Sequence, residues 1–306
     1  MLQGLLGYSL SRLASSHADR VAYLTKIIFD RITDGKGASK VRDFCTSIFT
    51  GLHLWQNHSL SKEVVYEIAS NPEQVSAEAR KVVVDLRDYL TIGSIESPNP
   101  TEDEVRKRAF DLMDRILQSA RKAYDELGAK YRDSQSGAWS DEDQEKVKQL
   151  VLLVDSVANQ LYFSSGAFDD KRGEERRSAA VLGNKGKKRF LQEASPILEQ
   201  LVDLAFPRIA HHLIETLVFL VDVAPEDVFL RIGRIVRASQ TGGYQYESLA
   251  ADLIVRFIER FLAEYRHILR ENEECRNVLI EILDTFVQAG WSSARRLTYR
   301  MEEIFR

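Results

Sequence analysis

Cysteine, proline and glycine are all scarce in this 306-residue chain, at 2, 6 and 16 residues. Cys45 and Cys275 stand far apart with no pair motif, so neither a disulfide framework nor a thiolate zinc site is expected, and the natural setting is a reducing cytoplasm. So little proline and glycine argues against a turn-rich β protein and suits helices, in which both residues are costly. No long hydrophobic run is present either. The longest uncharged stretch, Phe44 to Ser61, is broken by Gln56, Asn57, two histidines and several hydroxyls, so no transmembrane span is expected. Charge of one sign is also missing: 42 basic against 46 acidic residues leave a net charge of -4, which gives no global attraction to nucleic acid or to an anionic membrane. Met1 to Ala18 is Ser-rich and acid-free but carries only Arg12 and runs straight into an amphipathic pattern, so it is not read as a transit peptide.

What is present is one amphipathic helical pattern after another, supplied by 44% apolar residues. Arg20 to Ile32 and Val41 to Leu54 form a first expected pair, separated by Thr33 to Ser39, whose two glycines permit a turn. Glu63 to Ser70 and Ala77 to Leu90 follow, split at Asn71-Pro72. Thr101-Glu-Asp-Glu104 and Ser140-Asp-Glu-Asp143 carry capping signatures. The stripes Val105, Ala109, Met113, Ile116, Ala120, Ala123, Leu127 and Val147, Leu150, Val151, Val154, Val157, Ala158, Leu161 then predict a long antiparallel hairpin over 102 to 164. Pro196, Pro207 and Pro225 each suit the first position of a helix. Leu213 to Val223 is apolar almost all round and reads as the centre of a C-terminal block, completed by helices over 228–238, 249–269, 278–289 and 293–305.

The expected fold class is therefore all-α: stacked antiparallel helices in an irregular, solenoid-like array. The expected organisation is an N-terminal block over 1–92, the hairpin over 101–165, a basic mobile linker over 166–189 and a C-terminal block over 190–306. The segments Val105 to Leu117 and Pro225 to Val236 resemble helices of HEAT and armadillo α-solenoids, although no fixed period runs through the chain. Irregular helical arrays of this kind also resemble the C-terminal sensor or scaffold regions of large multidomain bacterial proteins, some nucleotide-hydrolysing defence proteins among them. That resemblance implies a cellular setting among such proteins, and the chain is separately expected to be part of a larger chain or complex.

No motif for chemistry stands out. Leu182-Gly-Asn-Lys-Gly-Lys-Lys188 lacks the first glycine, the hydroxyl residue and the strand that a phosphate-binding loop requires. Glu264/His267 and His211/Glu215 share helix faces at ligand-like spacing, but a carboxylate-bridged site needs a second such motif and further inward carboxylates. Cys45 lies between Phe44 and Ile48 on an apolar face, where a thiol acts as a small hydrophobe. No cofactor is expected.

Two stretches are candidate binding surfaces. The linker carries Lys171, Arg172, Arg176, Arg177, Lys185, Lys187, Lys188 and Arg189. Ordering some twenty residues costs roughly 20–40 kcal/mol of backbone entropy, which its one apolar cluster, Ala179 to Leu182, cannot offset. The second is Arg231, Arg234 and Arg237, spaced by three beside a loop offering Tyr244 and Tyr246, where guanidinium groups and rings could grip phosphate or protein. The competing expectation is a solvated face whose arginines pair with Asp252 or Glu259. The function expected on balance is a non-catalytic helical scaffold or sensor region binding a protein partner; the alternative is a nucleic-acid-binding module using the basic linker and the arginine stripe.

Overall fold

The computed structural model describes residues 13, 14, 16–32, 35, 37–90, 100–132, 140–168, 183–239 and 242–305, without the side chains of 131, 132, 239 and 300–305. The protein is all-α: thirteen α-helices, two short 3₁₀ turns and no strand are found among the described residues. Contacts divide the chain into two compact units, Met1–Gln160 and Leu161–Arg306.

In the first unit, α1 (Ala18–Asp30), α2 (Ala38–Gln56), α3 (Ser59–Ser70) and α4 (Ser76–Leu90) are followed by the long α5 (Pro100–Arg132) and by α6 (Asp141–Ser165), which runs past the boundary between the units. Gly37 sits at φ +94° ahead of α2, a left-handed conformation in which a side chain would be strained, so glycine makes this turn. Helix α2 is the hub, touching α1, α3, α4 and α5. Its Phe49, Leu52 and Leu54 are buried, as are Val82, Val83, Leu86 and Leu90 of α4 and the expected stripe of α5 from Val105 to Ala120, whose last two positions, Ala123 and Leu127, are half-buried. The helix expected to belong to a separate hairpin therefore also completes the N-terminal core. Arg108 Nη1 donates to the Leu54 carbonyl over 2.6 Å, tying α5 to the end of α2. The hairpin's second capping signature forms as expected: the Asp143 backbone N–H donates to Ser140 Oγ over 3.1 Å. Asp143 also accepts from Lys130 over 2.9 Å, joining the end of α5 to the start of α6. The first helix of the hairpin opens two residues earlier than its capping box suggests, at Pro100, whose missing N–H costs nothing there.

In the second unit, α7 (Asn184–Leu204), α8 (Pro207–Leu220) and α9 (Pro225–Ser239) pack in sequence, and α9 also packs on α12 (Glu273–Gln288). Between them lie α10 (Ser248–Glu264) and α11 (Arg266–Glu271), and α13 (Ser292–Phe305) covers α10 and α12. Phe229 of α9 lies 4.3 Å from Phe261 and 5.8 Å from Phe257, both on α10, measured between ring centroids.

Three expectations are corrected here. Pro207 and Pro225 begin helices, but Pro196 lies inside α7. Burial of Ala194, Ile197, Leu198 and Leu201 holds that helix through the break in its ladder, while Pro196 and Gln192 face solvent, where water can satisfy the stranded carbonyl. The helix expected over 249–269 is split at Tyr265, whose backbone leaves helical geometry at φ −122°, ψ 24°. The Tyr265 hydroxyl donates to Asp222 over 2.9 Å, an anchor that favours the break. Finally, residues 184–189, expected in a mobile linker, form the opening turns of α7.

Candidate functional site

Of the eight basic residues expected in the linker, Lys171, Arg172, Arg176 and Arg177 lie outside the described residues. The other four belong to α7 and do different work. Lys185 and Lys188 are exposed. Arg189 Nε donates to Glu193 over 3.1 Å, one turn along the same helix. Lys187 is drawn inward: its Nζ lies 2.9 Å from Asp222 Oδ2 and 4.2 Å from the centroid of the Phe219 ring, a charge pair and a cation–π contact made by one ammonium. The described part of the basic cluster is thus split by the fold, and the glycine- and lysine-rich segment read as lacking a phosphate-binding motif is helical from Asn184 on.

The arginine stripe is not a set of free guanidinium groups. Arg231 is buried, with Nε 3.0 Å from Glu199 and 3.1 Å from Asp227, and Nη2 3.1 Å from Ser195 Oγ. Arg234 reaches Glu199 over 2.8 Å and also bonds Asp203. Arg237 bonds Glu281. The partners from neighbouring elements are acids of α7 and α12, the helices that flank α9. The expected partner Asp252 pairs instead with Arg256 on its own helix. Tyr244 is buried and Tyr246 is exposed, so the two rings form no common platform. Burial pushes the Tyr244 hydroxyl well above the ordinary tyrosine range, with the charges of Glu247 and Glu215 adding to the effect.

The second unit also holds a cavity of about 580 Å³, lined by Lys187, His211, Glu215, Phe219, Asp222, Arg256 and Arg260 together with Val218, Leu249 and Leu253. Asp222 is its electrostatic centre, accepting from Lys187, Tyr265 and Arg260. Burial on its own would raise this carboxyl; hydrogen bonds from Lys187 and Tyr265 and the charges of Lys187 and Arg260 outweigh it and hold the group below the usual carboxylate range. The Tyr265 hydroxyl is pushed up to about 12 by burial and by its bond to Asp222. Lys187, Arg256 and Arg260 are balanced by Glu215, Asp222 and Asp252, so the lining favours no ligand of one charge.

The two ligand-like pairs have ordinary partners. His211 Nε2 lies 3.4 Å from Glu215, and Glu264 accepts from Arg260 over 2.9 Å. No group of three or more His, Cys, Asp or Glu side chains converges in metal-binding geometry among the described residues. Both thiols are buried, and burial pushes Cys45 and Cys275 up to about 11, away from the reactive thiolate.

Two features are not among the sequence expectations. His53, expected only as an interruption of a long uncharged stretch, is buried with neither ring nitrogen hydrogen-bonded among the described residues, its ring edge-on to Tyr66 at 5.4 Å. Its pKa is lowered to about 4, first by burial and then by the nearby charges of Lys62 and Arg108. The other is the outer face of α1, where Tyr23, Leu24 and Ile28 are 62%, 59% and 50% exposed. The signal for it lies in the helical wheel, because α1 is apolar over more of its circumference than one packed face requires.

The chain matches no protein-family model, no curated protein and no solved structure. No described helix is long and apolar enough to cross a membrane.

Proposed function

We propose that the protein is a non-catalytic helical scaffold that binds a protein partner. The observation that carries this reading is the outer face of α1. Its inner face already packs in the core, where Val21, Ala22 and Leu52 cluster with Ala18, Ile48 and Leu60, yet Tyr23, Leu24 and Ile28 stand in solvent on the same thirteen residues. Single exposed apolar residues are ordinary, whereas several on one short helix mark an interaction surface. The all-helical build supports the reading, because stacked helices offer surface more readily than they assemble reacting groups. The resemblance of isolated helices to HEAT and armadillo repeats points the same way.

The nucleic-acid alternative draws support only from Lys185 and Lys188 and from the four basic residues at 171–177. The arginines of α9 have acids for partners and add little net positive field. Affinity isolation of the full chain from its native cells, with and without nuclease and at low and high salt, separates the two. A protein recovered in stoichiometric amount through nuclease and high salt is the expected result. Material that disappears with nuclease, or nucleic acid recovered alone with a steep salt dependence, overturns the reading.

A further inference from the structure

The outer face of α1 carries charge as well as apolar surface, and the two are arranged together. At 100° per residue, Arg20, Leu24, Ile27 and Arg31 fall within a narrow arc, with Tyr23 and Ile28 on its flanks. Arg20 and Arg31, the second at the helix's C-cap, are exposed, and neither guanidinium has a hydrogen bond or ion pair among the described residues. The acids of α1 are engaged elsewhere: Asp19 lies 2.9 Å from His58, and Asp30 accepts from Lys26 over 2.6 Å. The result is an apolar strip from Tyr23 to Ile28, with Ile27 half-buried, between two arginines about 16 Å apart along the helix axis, neither of which has a partner among the described residues.

We propose that this face docks an amphipathic helix of a partner protein whose apolar residues are bracketed at both ends by carboxylates. The spacing of Arg20, Leu24, Ile27 and Arg31 is that by which one helix reads another through anchors three and four residues apart. Charge decides among occupants. A second copy of α1 is disfavoured in either direction: antiparallel pairing sets Arg20 near Arg31 of the other copy, and parallel pairing sets each arginine beside its equivalent. The chain's own first eighteen residues are also disfavoured, since they contain no Asp or Glu to meet either guanidinium. A helix with acids at both ends satisfies the strip and both arginines at once. This inference rests on the protein-binding reading and specifies its surface.

The test uses the full chain and three labelled, helix-forming synthetic peptides: one with a leucine strip and Glu at both ends, one with the same strip and Lys at both ends, and one with Glu ends and Ser in place of Leu. Fluorescence anisotropy reads binding to the parent chain, to Arg20→Glu/Arg31→Glu and to Leu24→Ser/Ile28→Ser. These substitutions sit on exposed side chains, so circular dichroism and unfolding are expected to be unchanged. The parent should prefer the Glu-ended peptide, charge reversal should weaken that peptide about tenfold and favour the Lys-ended one, and Leu24→Ser/Ile28→Ser should abolish binding. Equal binding of Glu- and Lys-ended peptides, or no binding to the parent, overturns the proposal. It is likewise overturned if the Glu-ended peptide binds only after removal of residues 1–12, or if sedimentation shows a dimer that Leu24→Ser/Ile28→Ser dissolves; the face then belongs to the chain's own segment or to a second copy. A cellular protein partner whose retention survives Leu24→Ser/Ile28→Ser would leave the scaffold reading standing while removing this surface from it.

Discussion

Lys187 Nζ meets Asp222 Oδ2 at 2.9 Å, joining the opening turns of α7 to the 3₁₀ turn that follows α8. With Phe219 beneath the ammonium, the Lys187 side chain is only 12% exposed. Lys187→Gln should cost about 1–2 kcal/mol in denaturant unfolding, because a charge-assisted bond and a cation–π contact are lost together. In a double-mutant cycle with Asp222→Asn, a coupling of about 1 kcal/mol is expected, and simple additivity would show that the pair contributes nothing. Because the Asp222 carboxyl is held below its ordinary value of 3.8, its contribution is in place above that value and is lost as pH falls through the lower folded one.

His53 is a second source of acid sensitivity. Its pKa is lowered from 6.5 to about 4 in the folded chain, so the unfolded chain takes up the proton first as pH falls. Stability should therefore drop by about 2 kcal/mol between pH 7 and pH 5 on account of this residue, and by about 3 once pH is below 4. His53→Phe keeps the ring against Tyr66 and removes two buried nitrogens that have no partner among the described residues. It should be neutral or stabilising at pH 7 and should flatten the acid limb of a stability curve; an unchanged limb would clear His53 of the effect.

Gly233 of α9 packs tightly against α12. A Cβ placed there would meet Val278 Cγ1 at 2.2 Å. Gly233→Ala should destabilise by about 1–3 kcal/mol despite alanine's better helix propensity, and Val278→Ala in the same chain should recover part of that loss. Thermal unfolding of the four variants checks both statements.

Pro196→Ala should stabilise α7. It restores an N–H to the helical ladder at a solvent-facing position, a gain of about 2 kcal/mol after the rigidity that proline lends the unfolded chain is set against it. Calorimetry reads this directly, and a lower melting temperature would mean that the proline shapes the helix for packing.

The α9 arginines are paired with acids of the flanking helices. Arg234→Gln and Arg237→Gln should each change stability by at most about 1 kcal/mol, as expected of partly exposed ion pairs. They should leave any affinity for RNA and its salt slope as they were. A slope reduced by about one per arginine would show that these groups reach phosphate after all.

Much of the helical order is legible in the sequence. The stripe from Val105 to Ala120, the break at Asn71-Pro72, the starts at Pro207 and Pro225 and the cap at Ser140 are local signals, because period, capping and ring constraints act within a few residues. The same local logic fails at Pro196, where burial on the next turns outweighs the proline, and at Tyr265, where a hydroxyl bond to a residue 43 positions away favours the break. The candidate site is less legible. A run of lysines looks identical in sequence whether it is solvated or, like Lys187, seated on a ring and a carboxylate.

The sequence alone determined that this protein is helical, rich in surface charge and short of the residues from which disulfides and β-turns are made, because composition and period act locally. Tertiary structure decided which charges remain available. Packing α9 between α7 and α12 brought Glu199, Asp203 and Glu281 to the arginines of the expected binding stripe and removed them from the surface field. Packing α1 by its inner face left Arg20 and Arg31 without a partner among the described residues on either side of an apolar strip. A charge is neutralised or left free according to what lies within a few ångströms, and that distance is set by the fold and not by neighbours along the chain.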